Sequence, residues 1–163
     1  MQPSSRSIEP EGLFDGLKPG AILLGAVVDN LATLVGSIAL VVALRPAEVS
    51  SPDEEASRAA LESLATDPGF LLWSMLLGVA CTVLGGYVGA RRAGRLHVRH
   101  GGWIAVASAA LGVAFMLVAG QQPGPARPLW YEALGWALLL PAGLAGGALA
   151  GFVQALGGGR GRS

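Results

Sequence analysis

The chain has 163 residues, 52% of them hydrophobic and only 13% charged, with a formal net charge of zero. A soluble domain carries about 25% charged residues, so this composition excludes an ordinary water-soluble fold and points to a chain solvated by lipid. Zero net charge leaves no basic footprint for nucleic acid, and one cysteine, Cys81, excludes an intramolecular disulfide or a multi-cysteine zinc site.

Residues 1–17 are polar, with Pro3, Pro10 and Gly12, and read as a flexible cytoplasmic tail whose Leu13, Phe14 and Leu17 touch the membrane surface. Four apolar segments follow, at about 19–44, 69–90, 103–120 and 129–156. A hydrocarbon core about 30 Å thick needs a helix of about 20 apolar residues, and each segment reaches or nearly reaches that length. The first is longer than the apolar region of a cleaved signal and is interrupted by Asp29, so it reads as a span. The expected fold is an all-α membrane protein: a four-transmembrane-helix bundle, residues 18–156, with a short outer surface helix between spans one and two.

Span one carries Asp29-Asn30 near its middle. At 1.5 Å per residue, Asp29 lies about 12 Å beyond Ala21, well inside the hydrocarbon. A charged side chain there costs about 2.5–3.5 kcal/mol on the lenient insertion scale. No basic residue lies within any span, so Asp29 must be neutral, hydrated or bound to something. Asn30 beside it, Thr33 one turn on, and Thr82 and Ser108 at similar depth are its candidate neighbours. Two roles stay open. Asp29 pins the bundle in register through hydrogen bonds, or it carries a proton or a cation.

The outer connection, residues 45–68, contains its own helix signal at about 52–65. Ser51 suits the cap, Pro52 the first turn, and Asp53 to Glu55 the positive helix start. Asp67-Pro68-Gly69 ends it.

Span two closes with Gly85-Gly86-Tyr87-Val88-Gly89-Ala90-Arg91-Arg92. Gly85 and Gly89, and Gly143, Gly147 and Gly151 in span four, recur every four residues and so share a helix face. In lipid, such faces are packing surfaces, because small residues let backbones approach. Ala21/Gly25 in span one and Ala105/Ala109 in span three offer the same. Pro141 predicts a kink in span four. Trp73, Trp103, Trp130 and Tyr131 sit near span ends, where aromatic rings favour the interface; Trp136 lies deeper and is expected to pack inside. The last seven residues, 157–163, read as a flexible basic tail.

Arg91, Arg92, Arg95 and Arg99 fill the connection between spans two and three. With Arg6, Lys18, Arg160 and Arg162 they place eight basic residues on one side, against Arg45, Arg58 and Arg127 on the other. Positive charge stays in the cytoplasm, so both termini and this loop are expected inside a bacterial inner membrane. The four arginines are also expected to meet anionic lipid headgroups, with His97 and His100 beside Arg95 and Arg99 in an inward cationic cluster. His97 and His100 are spaced to share a helix face, but no third ligand accompanies them, and neither metal nor cofactor is expected.

The Gly85–Arg92 motif, followed by a basic loop and His100-Gly101-Gly102, resembles a pattern in uncharacterised small four-span bacterial inner-membrane proteins. That resemblance covers spans two and three and implies a location rather than an activity. Small multidrug resistance transporters are similar in architecture, with four short spans and one buried acid in the first. Theirs is a Glu in an aromatic-containing motif, whereas Asp29 lies in Gly25-Ala26-Val27-Val28-Asp29-Asn30-Leu31 without aromatics. That comparison supplies a mechanism to test. No HExxH, P-loop, GxSxG or paired intramembrane acids occur, so the chain reads as a non-enzymatic accessory or packing subunit. Its expected partners are the bilayer and a second copy or another membrane protein.

Overall fold

A computed structural model describes residue 12 and residues 14–46, 53–118 and 127–158. Among them the chain forms five helices and no strand: α1 Pro19–Leu44, α2 Glu54–Leu64, α3 Pro68–Ala93, α4 His97–Val118 and α5 Leu129–Gly158. All but α2 are long and apolar enough to cross a membrane. The protein is thus a four-helix membrane bundle, with α2 between the first two spans.

Local chemistry sets the boundaries. Asp67 caps α3 by accepting the Phe70 N–H at 2.7 Å, and Pro68 occupies the first turn, where its missing N–H costs nothing. Gly94 ends α3 at φ 74°, a left-handed conformation that glycine adopts freely. Leu96 follows at φ 49°. Two left-handed residues within three positions reverse the chain so tightly that the arginine-rich connection shrinks to Gly94, Arg95 and Leu96. This corrects the expected third span: α4 starts at His97, six residues before Trp103. Arg91 and Arg92 therefore belong to the last turn of α3 and Arg99 to the first turn of α4. Helix propensity outweighed charge there, because lipid interface tolerates an arginine on a helix as readily as on a loop.

The cap of α2 also differs from expectation. Asp53 accepts the N–H groups of Glu55 and Ala56 at 3.0 and 3.2 Å, so the helix begins at Glu54. Ser51 and Pro52 lie outside the described residues, as do residues 1–11, Leu13 and residues 159–163 of the two tails. Helix α5 runs unbroken through Pro141.

Helices α3 and α4 touch each other, and each also packs against α1 and α5. Helices α1 and α5 have no substantial contact, so the cross-section is a rhombus with α3 and α4 on its short diagonal. Burial is uneven along this bundle. In α1 the buried residues are Ala21, Gly25, Ala26 and Asp29, with none beyond; in α4 they end at Ser108. In α5 they run from Ala142 to Ala150. The glycine-packed part of the bundle is therefore its arginine end, up to the level of Asp29; toward the α2 end α3 still buries Met75 and Leu71.

Glycine makes this half tight. A Cβ built on Gly85 would lie 2.6 Å from the Gly25 carbonyl oxygen and 2.7 Å from Asp29 Cβ. One on Gly89 would lie 2.6 Å from the Ala21 carbonyl, and one on Gly143 2.5 Å from that of Gly101. Gly147 faces the His97 carbonyl just as closely. Gly151 differs: its Cβ would meet the His97 ring at 3.5 Å, an ordinary contact. Trp136 does not pack inside as expected but is 62% exposed on the bundle surface. At that level α5 has left the glycine contacts, and lipid takes the place of a neighbouring helix.

Candidate functional site

The floor of the tight half is a polar cluster built from three helices. All five polar residues expected near mid-membrane meet there. Asp29 on α1 is only 3% exposed. Ser108 on α4 donates its hydroxyl to Asp29 Oδ2 at 2.5 Å. Thr82 on α3 lies 3.3 Å from both carboxylate oxygens, and Thr33, one turn further along α1, reaches Oδ1 at 3.5 Å. Asn30 completes the set. Its Nδ2 donates to the Ala26 carbonyl at 2.9 Å and to Ser108 Oγ at 2.8 Å. Ser108 therefore accepts from Asn30 and donates to Asp29, two adjacent residues of α1, and so fixes the register of α1 against α4.

The sequence positions explain the convergence. Gly25 and Gly85 remove the side chains that would hold α1 and α3 apart, and Asp29 follows Gly25 by one turn. Thr82 precedes Gly85 by three residues, which returns it to the same face. Ile104, fully buried, precedes Ser108 by one turn and fills the space beside Gly25 and Gly89.

One residue of this face escaped the sequence reading. Ser37 lies one turn beyond Thr33 and is half-buried. Asp29, Thr33 and Ser37 recur every four residues, a polar line running from the cluster toward the α2 end. The spacing was visible; a serine among valines and leucines gave no reason to single it out.

At the arginine end the N-terminal segment docks onto α4 and the adjoining turn. Gly12 and Phe14 of the expected tail thus lie against the bundle. The Lys18 N–H donates to His100 Nε2 at 3.0 Å, and His100 Nδ1 lies 3.0 Å from the Leu96 carbonyl. This pairing fixes the tautomer: Nδ1 carries the proton and Nε2 accepts. His100 is wholly buried. Both its nitrogens are engaged, so it is a helix-start anchor rather than a headgroup contact. His97 turns instead toward Gly147 and Gly151, and its Nε2 is buried with no hydrogen bond among the described residues. Phe14 stacks on Trp103 at 4.9 Å between ring centroids, and Arg99 donates to the Gly12 carbonyl at 3.0 Å.

Arg91, Arg92 and Arg95 are exposed around this end. Arg91 donates to the Tyr87 hydroxyl at 2.9 Å and lies over its ring. At the opposite end Ser74 and Tyr131 share a hydrogen bond of 3.0 Å, and Arg127 lies over the Tyr131 ring.

No family model matches this chain, and neither a curated protein nor a solved structure matches it.

Proposed function

We propose that this chain is a non-enzymatic packing or accessory subunit of a bacterial inner membrane, with its termini and its arginine end in the cytoplasm. One observation carries this reading. Asp29 is sealed at 3% exposure, and every hydrogen bond given to its carboxyl comes from a hydroxyl of the same chain. Such an acid ties α1, α3 and α4 together without needing a substrate. The glycine contacts supply the rest: backbones this close gain dispersion energy and interhelical hydrogen bonds, which drive association where the hydrophobic effect is absent. The resemblance of the Gly85–Arg92 motif to small four-span bacterial proteins supports the same location.

A coupled carrier is the second reading, and the polar line Asp29–Thr33–Ser37 favours it. Flux in proteoliposomes under a pH or sodium gradient separates the two. A packing subunit gives no coupled flux of candidate solutes. A carrier gives flux that Asp29→Asn abolishes while the fold persists.

A further inference from the structure

We propose that the Asp29 cluster is a binding site for one desolvated monovalent cation of sodium's size. This goes beyond the packing reading, which needs only hydrogen bonds.

The first argument is the spacing of oxygens. A hydroxyl bonded to a carboxylate normally lies about 2.5–2.7 Å away. Thr82 Oγ1 lies 3.3 Å from each Asp29 oxygen and Thr33 Oγ1 3.5 Å from Oδ1. Those are long for hydrogen bonds to a carboxylate. They are the right edges for a cage around a cation. With metal–oxygen distances of about 2.3–2.6 Å, as hard cations of this size prefer, ligands at right angles sit about 3.3–3.7 Å apart. Only Ser108, at 2.5 Å from Oδ2, makes a short hydrogen bond, and Asn30 holds it in place.

The second argument is charge. The cluster contains one carboxylate and no base, and no Lys or Arg lies within the hydrocarbon part of any span. A singly charged ion neutralises it. A divalent ion would leave a net positive charge in low dielectric, which is strongly unfavourable.

The third argument is proton bookkeeping within the helices. A hydroxyl can ligate a cation only if its own proton has another acceptor. Thr33 and Thr82 both lie inside helices, where a hydroxyl can turn its proton to the carbonyl four residues back. Those carbonyls belong to Asp29 and Gly78. Each threonine can thus present a lone pair to the ion without stranding its proton. Entry runs along Ser37 and Thr33 from the α2 end, where α1 has no buried residue beyond Asp29. Ser37 or water on that side completes the coordination shell.

The test uses the full chain, purified in detergent. Thermal unfolding is followed in sodium chloride and in choline chloride of equal ionic strength, alongside equilibrium binding of radioactive sodium. Sodium should raise Tm with the logarithm of its concentration, by about 5 °C once it exceeds its Kd by about twentyfold, and bind saturably at one ion per chain. Thr82→Val keeps the shape and the Ser108 bond but removes one ligand oxygen. It should weaken sodium binding at least tenfold, and Asp29→Asn should abolish it. Equal Tm in sodium and choline, or no saturable sodium binding to the wild type, overturns the proposal. So does sodium binding that survives Asp29→Asn. The packing reading is judged separately, by the stability of the Asp29 variants in choline alone.

Discussion

Ser108 donates to Asp29 across 2.5 Å, and the same oxygen accepts from Asn30 at 2.8 Å. One hydroxyl on α4 thereby holds two consecutive side chains of α1. Sliding α4 by a single residue would break both bonds and rotate Ser108 by about 100° away from α1. In a bundle whose closest backbone contacts are made by glycine and alanine, this pair specifies the register.

Asp29 variants should follow hydrogen-bonding capacity rather than charge. Asn is nearly isosteric and still accepts from Ser108, so Asp29→Asn should stay within about 1 kcal/mol of wild type in sodium-free buffer. Asp29→Leu leaves the Ser108 hydroxyl without its acceptor, strips Thr82 of its contact with α1 and places a larger group beside Gly85. A loss of about 2–4 kcal/mol is expected. Chemical denaturation in mixed micelles measures both, and equal stabilities for Asn and Leu would show that the cluster holds nothing together.

The glycines divide into two sets that predict opposite outcomes for one added methyl. At Gly85 the Cβ would meet the Gly25 carbonyl at 2.6 Å, an atom of a helix backbone that cannot step aside without moving α1. Gly85→Ala should therefore cost about 1–3 kcal/mol through overpacking. Gly78 and Gly135 have nothing within 4 Å, so alanine there gains about 0.5–1 kcal/mol of helix propensity at no steric cost. Gly151→Ala belongs with the second set. Thermal stability of these single variants in detergent decides it, and a uniform response across them would remove the close-packing account.

Periodicity and composition made the spans legible, because hydrophobic length is a strong signal and lipid imposes it. The Asp29 cluster was legible too, since a mid-span acid without a base needs polar neighbours and few were on offer. The start of α4 was not. Arginines and histidines between two apolar runs look like a loop, and only the left-handed Gly94 and Leu96 show that three residues suffice for the turn. His100 was likewise misplaced on the surface. Its partners are main-chain groups of Lys18 and Leu96, and main-chain groups carry no sequence signature. Gly151 shares its spacing with Gly147, yet spacing cannot tell a backbone contact from an ordinary one.

His100 should control the ordering of the segment before α1. His100→Phe keeps a flat aromatic ring but removes the acceptor for the Lys18 N–H and the donor to the Leu96 carbonyl. The residue that starts α1 then loses its main-chain anchor on α4. Hydrogen exchange at residues 14–18 should accelerate by at least tenfold, while exchange in α3 stays near wild type. His100→Gln can rebuild one of the two bonds and should fall between. Unchanged exchange in His100→Phe would mean that Phe14–Trp103 and Arg99 alone hold the segment.

The threading of the chain rests on where its positive charge lies relative to the bundle. Lys18, Arg91, Arg92, Arg95 and Arg99 gather at one end, joined there by the Lys18–His100 and Arg99–Gly12 contacts. Arg45, Arg58 and Arg127 lie at the other, where α2 and the start of α5 are found. Positive-inside bias acts through such short loops and span ends, so the five-residue end should face the cytoplasm. Cysteines are placed singly at Arg95 and Ala59, both exposed, in a Cys81→Ala background. In intact spheroplasts an impermeant maleimide should label only position 59, and both positions after lysis. Replacing Arg91, Arg92, Arg95 and Arg99 together by glutamine leaves Arg6, Lys18, Arg160 and Arg162 on that side against three arginines opposite. Labelling at position 59 in intact spheroplasts should then fall, because the bias that set the orientation has nearly vanished. Label at position 95 in the unmodified chain would place the arginine end outside and overturn the orientation.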